Sequence, residues 1–168
     1  EDYYVANKLM KGYIGSANID TNSRLCMSSA VAGHKRAFGS DTVPGCYEDL
    51  EQADVLILVG SNLAWCHPVL YRRIEAAKAE RPNLSLVVID PRRTASCDLA
   101  GLHLPVRPGT DVLLFNGLLA HLAREGRADF AFLESHASGY AATLAAARDD
   151  APSIPAVAAG CGVSEEDV

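Results

Sequence analysis

The spacing of apolar residues predicts two helices at the start of the chain. Tyr4, Val5 and Leu9 recur at helical intervals and Gly15 supplies a stop, so residues 1–14 are predicted to form a helix. After a turn-rich loop, the segment CMSSAVAGHKRAFG begins a second helix. Cys26 is therefore expected at or near a helix N-terminus.

Apolar runs further along predict the strands of a parallel sheet. The run VLILVG at residues 55–60 and the run that opens LSLVVIDPRRT are uninterrupted, which is typical of parallel strands covered on both faces. A third short strand is predicted in LHLPVRPGTD.

Helices are predicted between and after these strands. One has Pro68 in its first turn and Ile74 on its apolar face, and another begins near Thr110 and Asp111. This order of elements predicts an α/β fold, a doubly wound, mostly parallel sheet with flanking helices. After Asp129 the sequence is helical and Ala-rich.

Composition and charge narrow the class of protein. Of the 168 residues, 49% are hydrophobic and 21% charged, which is typical of a soluble globular protein with a conventional core. A formal charge of −6 disfavours nucleic acid, because non-specific affinity for it depends mainly on Lys and Arg. No apolar run approaches the roughly 18 residues of a membrane helix. We therefore expect no nucleic-acid partner and no membrane span.

Both ends of the sequence predict a piece of a longer protein. Glu1 is not an initiator Met, and no basic-then-apolar leader follows it. At the other end, Ser164 is expected to cap a helix with Glu165 and Glu166 in its first turn, and the sequence stops before the body of that helix.

The cysteines, at positions 26, 46, 66, 97 and 161, form no CxxC pair and are odd in number. This argues against a zinc ribbon, a four-cysteine iron–sulfur motif within the chain and a fully paired disulfide scaffold. Cys26 itself has three alternatives: a buried thiol, a nucleophile served by His34, or a thiolate metal ligand. His34 lies just over two helical turns further on, which disfavours the nucleophile. The residues alone place the buried thiol slightly ahead of the metal ligand.

Polar and turn-forming residues follow each predicted strand: GSN at 60–62, DPRRT at 90–94 and RPGTD at 107–111. Taken singly, each is explained by a turn, a strand stop or a helix cap. Because the carboxyl ends of parallel strands share one edge, together they would surround a crevice with hydroxyls, amides, acids and arginines, which suits a nucleotide. Neither GxGxxG nor the P-loop pattern is present, so a nucleotide would bind by another scheme.

The segment GSANIDTNSRLCMSSAVAGHKRAFGSDTVPGCYEDLEQADVLILVGSNLAWCHPVL resembles the catalytic subunit of the bacterial molybdopterin nitrate reductases, and the assimilatory kind most of all. IDPRRT and LPVRPGTDVLLFNGLL extend the resemblance over roughly residues 1–135, and these two are shared across the wider bis-molybdopterin guanine dinucleotide (bis-MGD) oxidoreductases. The resemblance implies a molybdopterin-oxidoreductase domain fragment. Within it, residues 1–54 would hold the molybdenum-ligand loop and helices, 55–126 a three-strand nucleotide-binding-like core, and 127–168 a helical extension.

The resemblance also implies roles for particular residues. Cys26 would ligate molybdenum beside the dithiolene sulfurs of two pterins, and Asn22 would contact the cofactor. The other cofactor-binding residues implied are Val59, Gly60, Ser61, Asn62, Leu63, Ala64, Trp65 and Cys66, then Ile89, Asp90, Pro91, Arg92 and Arg93, and finally Gly109, Thr110 and Asp111.

The implied activity is two-electron reduction of nitrate to nitrite by oxygen-atom transfer. Its partners would be nitrate and an electron-donor protein or subunit. The cysteines of a 4Fe–4S cluster are expected upstream of residue 1 and much of the second MGD site downstream of residue 168. We therefore expect the isolated fragment to fold but not to reduce nitrate.

Other classes stay open. Formate dehydrogenases typically place a histidine directly after the metal-bound residue, whereas Met27 follows Cys26 here and favours nitrate. Other oxyanion reductases, and a nucleotide-binding domain with no redox role, remain alternatives. DPRRT, common in cytoplasmic relatives, favours the assimilatory enzyme and a cytoplasmic location. The histidines are expected at the surface or behind ligands, with His67 beside a proposed cofactor loop.

Overall fold

A computed structural model describes residues 1–21 and 23–168, and for residues 23 and 24 it describes the backbone. These residues form two compact units, Glu1–Gly45 and Cys46–Val168. The assignment of the whole chain to one domain stays a prediction. Asn22, predicted to contact the cofactor, lies outside the described residues.

The first unit opens with the predicted helix. Helix α1, Asp2–Asn7, continues as a π-helical segment, Lys8–Ile14. Gly15 ends it at φ 72°, a left-handed conformation that is strained for residues with a Cβ. The helix predicted over residues 1–14 is thus confirmed.

Two further helices complete the first unit. Helix α2 is the short segment Ser23–Cys26, and α3 is Ser28–Phe38. Cys26 therefore ends one helix two residues before the next begins, in agreement with its predicted place near a helix N-terminus.

The second unit contains a three-stranded parallel sheet in the order β1-β2-β3. Val59 pairs with Ile89, and Ile89 pairs with Leu104, so the three carboxyl ends lie at one edge of the sheet. The strands are β1 (Val55–Val59), β2 (Ser85–Ile89) and β3 (Leu102–Leu104).

Helices precede, connect and follow these strands. They are α4 (Asp49–Gln52), α5 (Leu63–Cys66), α6 (Pro68–Glu80), a 3₁₀ helix (Ala95–Leu99), α7 (Asp111–Arg124), α8 (Phe130–His136), α9 (Tyr140–Asp150) and α10 (Ile154–Cys161).

Successive strand residues point to opposite faces of the sheet and supply two apolar cores. On one face, Leu86 lies in a cluster with Ile74 of α6. On the other, Ile89 lies in a cluster with Leu114 of α7 and Val157 of α10. Helices therefore flank both faces of a parallel sheet, which confirms the predicted fold class.

One prediction about the sheet is wrong. Strand β1 is one of the two edge strands, and it is not covered on both faces within the described residues: Val55 is 56% exposed, Ile57 48% and Val59 42%. The second core covers the same face only at β2 and β3. An uninterrupted apolar run indicates a strand that can be buried on both faces, but it does not indicate how far the covering helices extend.

The prediction of a helix after Ser164 is also wrong, since residues 165–167 form a turn. The Ser164 hydroxyl accepts from the Asp167 N–H at 3.2 Å and donates to the Asp167 carboxylate at 2.7 Å. Both bonds join the same two residues, so they close a single turn.

Candidate cofactor site

Three segments follow the carboxyl ends of the strands, and we call residues 60–66, 90–94 and 107–111 the strand-end loops, the first of which includes the short helix α5. Sheet hydrogen bonding continues into the first two, because the Gly60 N–H donates to the Ile89 carbonyl at 2.8 Å and the Asp90 N–H to the Leu104 carbonyl at 3.2 Å. The third begins after β3 at the same edge. The loops predicted to form one crevice therefore start side by side.

The first strand-end loop is fixed from behind by a residue that the sequence analysis did not single out. The fully buried Ser96 hydroxyl accepts from the Ala64 N–H at 3.1 Å and so joins this loop to the segment after the second one. Trp65, in contrast, is 77% exposed and leaves a large aromatic face free for stacking. A lone serine in a turn carries no signal in the sequence, and only its long-range partner reveals its role.

The second strand-end loop is shaped by Asp90. Its carboxylate accepts from the Arg92 N–H at 2.8 Å, and its carbonyl accepts from the His103 ring Nε2 at 2.9 Å. The Asp90 carboxylate therefore stabilises the loop itself, in addition to any role in binding. Arg92 and Arg93 are both exposed, so two cations are available here for phosphate or for the face of a base.

The side chain of Thr110 closes the third strand-end loop and does not cap helix α7. The hydroxyl of Thr110 donates to the Arg107 carbonyl at 2.7 Å, and the N–H of Thr110 reaches the same carbonyl at 3.2 Å. Gly109, at φ 84°, allows the tight bend between them. The predicted cap position of Thr110 on α7 is correct, but its side chain makes no cap hydrogen bond. The first amides of α7 are left without that partner and suit an anion.

Two buried polar atoms of the first two loops have no hydrogen-bond partner among the described residues. They are the Asn62 side-chain oxygen and the hydroxyl of Thr94, a residue that is 8% exposed. Buried polar atoms are normally paired. Loops that combine such atoms with exposed arginines and an uncapped helix N-terminus fit a cofactor with phosphate and nucleoside groups.

Not every predicted binding residue offers its side chain to this edge. Ile89 is 2% exposed and Leu63 9%, and both belong to the apolar cores. They can contact a ligand only through the backbone, whereas Gly60, Cys66 and Gly109 are exposed.

In the first unit, Cys26 is exposed, which contradicts the buried-thiol alternative. The His34 ring Nδ1 is hydrogen-bonded to the Ala30 carbonyl at 2.9 Å, one turn back along its own helix. Among the described residues no group of three or more His, Cys, Asp and Glu could hold a metal ion.

Comparison with known proteins decides the family, because the molybdopterin oxidoreductase model matches residues 1–159. The chain belongs to the molybdopterin oxidoreductase family. It is 54% identical to a nitrate reductase of Shewanella frigidimarina over 164 residues, which cover 98% of this chain and 17% of that protein. It is 64% identical to a nitrate reductase of Klebsiella oxytoca over 126 residues, 75% of this chain and 14% of that protein.

Two further matches broaden this picture. A periplasmic nitrate reductase of Desulfovibrio desulfuricans is 45% identical over 118 residues, 70% of this chain and 16% of that protein. The solved structure of acetylene hydratase from Pelobacter acetylenicus superimposes with a TM-score of 0.73 at 26% identity, covering 92% of this chain and 20% of that one. The chain thus spans about a fifth or less of the length of the relatives that it matches.

Within the described residues, no helix combines the length and the apolar character needed to cross a membrane.

Proposed function

We propose that this chain is part of the catalytic subunit of a nitrate reductase, in which a molybdenum bis-MGD centre supports two-electron reduction of nitrate to nitrite. The observation that carries the proposal is the exposed thiol of Cys26 in a chain that is 54% and 64% identical to two nitrate reductases. Exposure leaves the sulfur free to act as a ligand, and thiolates favour soft metals.

The proposed roles follow from the chemistry of each group. Cys26 supplies an anionic sulfur to molybdenum, and Asn22 contacts the cofactor. When bound, the molybdenum centre supplies the redox chemistry, and the protein supplies position and electrostatics. Arg92, Arg93 and the first amides of α7 suit phosphate and guanine groups of one MGD. The remaining proposed contacts are residues 59–66, 89–91 and 109–111.

Met27 bears on the choice of substrate. It is 50% exposed and lies between α2 and α3, directly after the proposed ligand. A thioether has no proton to transfer at neutral pH, whereas a histidine at this place would serve proton removal from formate. We therefore favour an oxyanion substrate and propose nitrate, with a formate dehydrogenase or another oxyanion reductase as the second candidate.

Electron supply and location complete the proposal. We propose a 4Fe–4S cluster in the longer protein, an electron-donor protein or subunit, and an assimilatory, cytoplasmic enzyme. The DPRRT segment supports a cytoplasmic location, while the Desulfovibrio relative is named a periplasmic nitrate reductase and so supports the periplasm. Cell fractionation of the native host distinguishes the two compartments.

The test uses the full-length protein produced with molybdate. We expect stoichiometric molybdenum and nitrite formation with a reduced viologen donor, and we expect Cys26→Ala to lose both. Cys46→Ala is the matched control, since Cys46 is also an exposed thiol and should retain the metal. Molybdenum unchanged in Cys26→Ala would refute ligation, and formate oxidation in place of nitrate reduction would favour the second candidate. The isolated 168-residue chain should form no nitrite, and measurable nitrite would contradict that expectation.

A further inference from the structure

The C-terminal end of α10 meets the third strand-end loop, although the sequence of the last forty residues shows no catalytic pattern. We propose that Arg107 is a positioning residue that fastens this loop to α10 and so holds it in the shape that binds cofactor. The proposal rests on the proposed function, because it assumes that the loop binds MGD.

The first observation is that the last three carbonyls of α10 all accept hydrogen bonds from Arg107. Its guanidinium Nη1 donates to the carbonyls of Ala159 at 3.1 Å and Gly160 at 3.4 Å, and its backbone N–H donates to that of Cys161 at 2.8 Å. Carbonyls at a helix C-terminus lack partners within the helix and carry the negative end of its dipole. A cation that forms a fork of hydrogen bonds suits this position.

A second contact joins α10 to the other side of the same loop. The buried Cys161 thiol donates to the Thr110 carbonyl at 3.7 Å. Thr110 in turn donates twice to the Arg107 carbonyl, so the loop is held at both ends by one turn of helix. These contacts link residues more than 50 positions apart.

The third observation concerns Gly162, which ends α10 at φ 76°. A Cβ placed there would lie 2.8 Å from Arg107 Nε and 3.1 Å from its Cγ. The arginine thus lies directly against the glycine, and the absence of a side chain at this position makes room for it. Gly126, at φ 66°, is a matched glycine with no atom within 4 Å of the same virtual Cβ.

The experiment compares Arg107→Met, Arg107→Lys, Gly162→Ala and Gly126→Ala in the full-length protein. Arg107 is exposed, so its substitution should leave the fold intact, and thermal melting checks this for every variant. One measurement is hydrogen exchange in the peptide that covers residues 107–114. The other is the rate at which molybdenum is lost below the melting temperature.

We expect Arg107→Met to speed exchange at Thr110 and the loss of molybdenum by roughly tenfold, since a hydrogen bond from a charged group shifts a local equilibrium by at least that factor. Gly162→Ala should do the same by displacing the arginine. Gly126→Ala should match the wild type in both rates, and Arg107→Lys should recover part of the effect.

Wild-type exchange rates in Arg107→Met and Gly162→Ala would overturn the proposal that Arg107 holds the loop. Faster exchange together with wild-type retention of molybdenum would overturn its link to the cofactor. If the wild-type protein contains no molybdenum, the proposed function fails instead, and the exchange measurement still decides whether Arg107 holds the loop.

Discussion

At the scale of single residues, two side chains behind the strand-end loops hold them in place. Ser96 accepts from the Ala64 N–H, and the Tyr71 hydroxyl of α6 donates to the Ala95 carbonyl at 3.2 Å. Both bonds fall on the segment that follows DPRRT. Groups outside the strand-end loops therefore support the residues proposed to bind a ligand.

Tyr71 gives a prediction with a defined pH dependence. Burial, reinforced by the negative charge of Asp98, raises the pKa of Tyr71 above its ordinary value of 10.0. The folded state thus favours the neutral phenol, so the stability that it contributes is complete below the ordinary pKa and is lost as pH rises through the raised one. We expect Tyr71→Phe to lower the free energy of unfolding at neutral pH by about 1 kcal/mol, the contribution of one hydrogen bond.

Urea unfolding at neutral pH and above the ordinary tyrosine pKa of about 10 measures both effects. The variant should lose less stability than the wild type as the solution becomes alkaline. Tyr47→Phe is the control, because Tyr47 is 62% exposed and its ring remains beside Arg73 in the variant. Equal alkaline losses in Tyr71→Phe and the wild type would contradict the assignment.

At the scale of elements, α7 and α10 approach closely through glycine. A Cβ on Gly117 of α7 would lie 2.7 Å from one methyl carbon of Val157 and 3.1 Å from the other. A Cβ on Gly160 of α10 would collide in the same way with the side chain of Leu113. This contact supports the helix whose C-terminal end holds the third strand-end loop.

We expect Gly117→Ala to destabilise the protein despite its better helix propensity. Alanine gains about 1 kcal/mol over glycine in a helix, whereas overpacking a close contact costs about 1–3 kcal/mol. Chemical denaturation should show a net loss in the wild-type background and a smaller loss in a Val157→Ala background, where the methyl groups are gone. Equal losses in the two backgrounds would show that the contact does not limit the position.

At the scale of the whole molecule, the two compact units differ in their burial. No residue of Glu1–Gly45 is buried among the side chains that the structure describes there, whereas Cys46–Val168 contains two apolar cores. Among its described side chains, the first unit, which contains Cys26, has no buried apolar cluster. In the second unit, the edge strand β1 leaves Val55 and Ile57 about half exposed.

An exposed apolar edge strand invites pairing with another chain. We therefore expect the isolated 168-residue chain to self-associate, and the double substitution Val55→Thr and Ile57→Thr to reduce that association while keeping strand propensity. Sedimentation velocity over a range of concentrations measures it. Val69→Thr on α6 removes a 73% exposed apolar residue outside the sheet and is the control. Identical association in the double variant and the control would place the contact elsewhere.

Local patterns in the sequence determined much of this protein. Period and turn chemistry located the first helix, the three strands and the Pro68 helix, because these patterns reflect backbone preference and burial over a few residues. The resemblance around Cys26 gave the family. The roles of Asn22, Cys26 and the strand-end loops stay predictions, and the proposed experiments test those of Cys26 and the third strand-end loop.

Only the tertiary structure decided which distant groups meet. It paired Ser96 with Ala64 and Arg107 with the end of α10, and it exposed both Cys26 and one face of β1. Each of these depends on where separate segments of chain come to lie and on how far a covering helix extends. Apolar periodicity indicates that a face can be buried. Whether it is buried, and by which element, depends on packing across the whole fold.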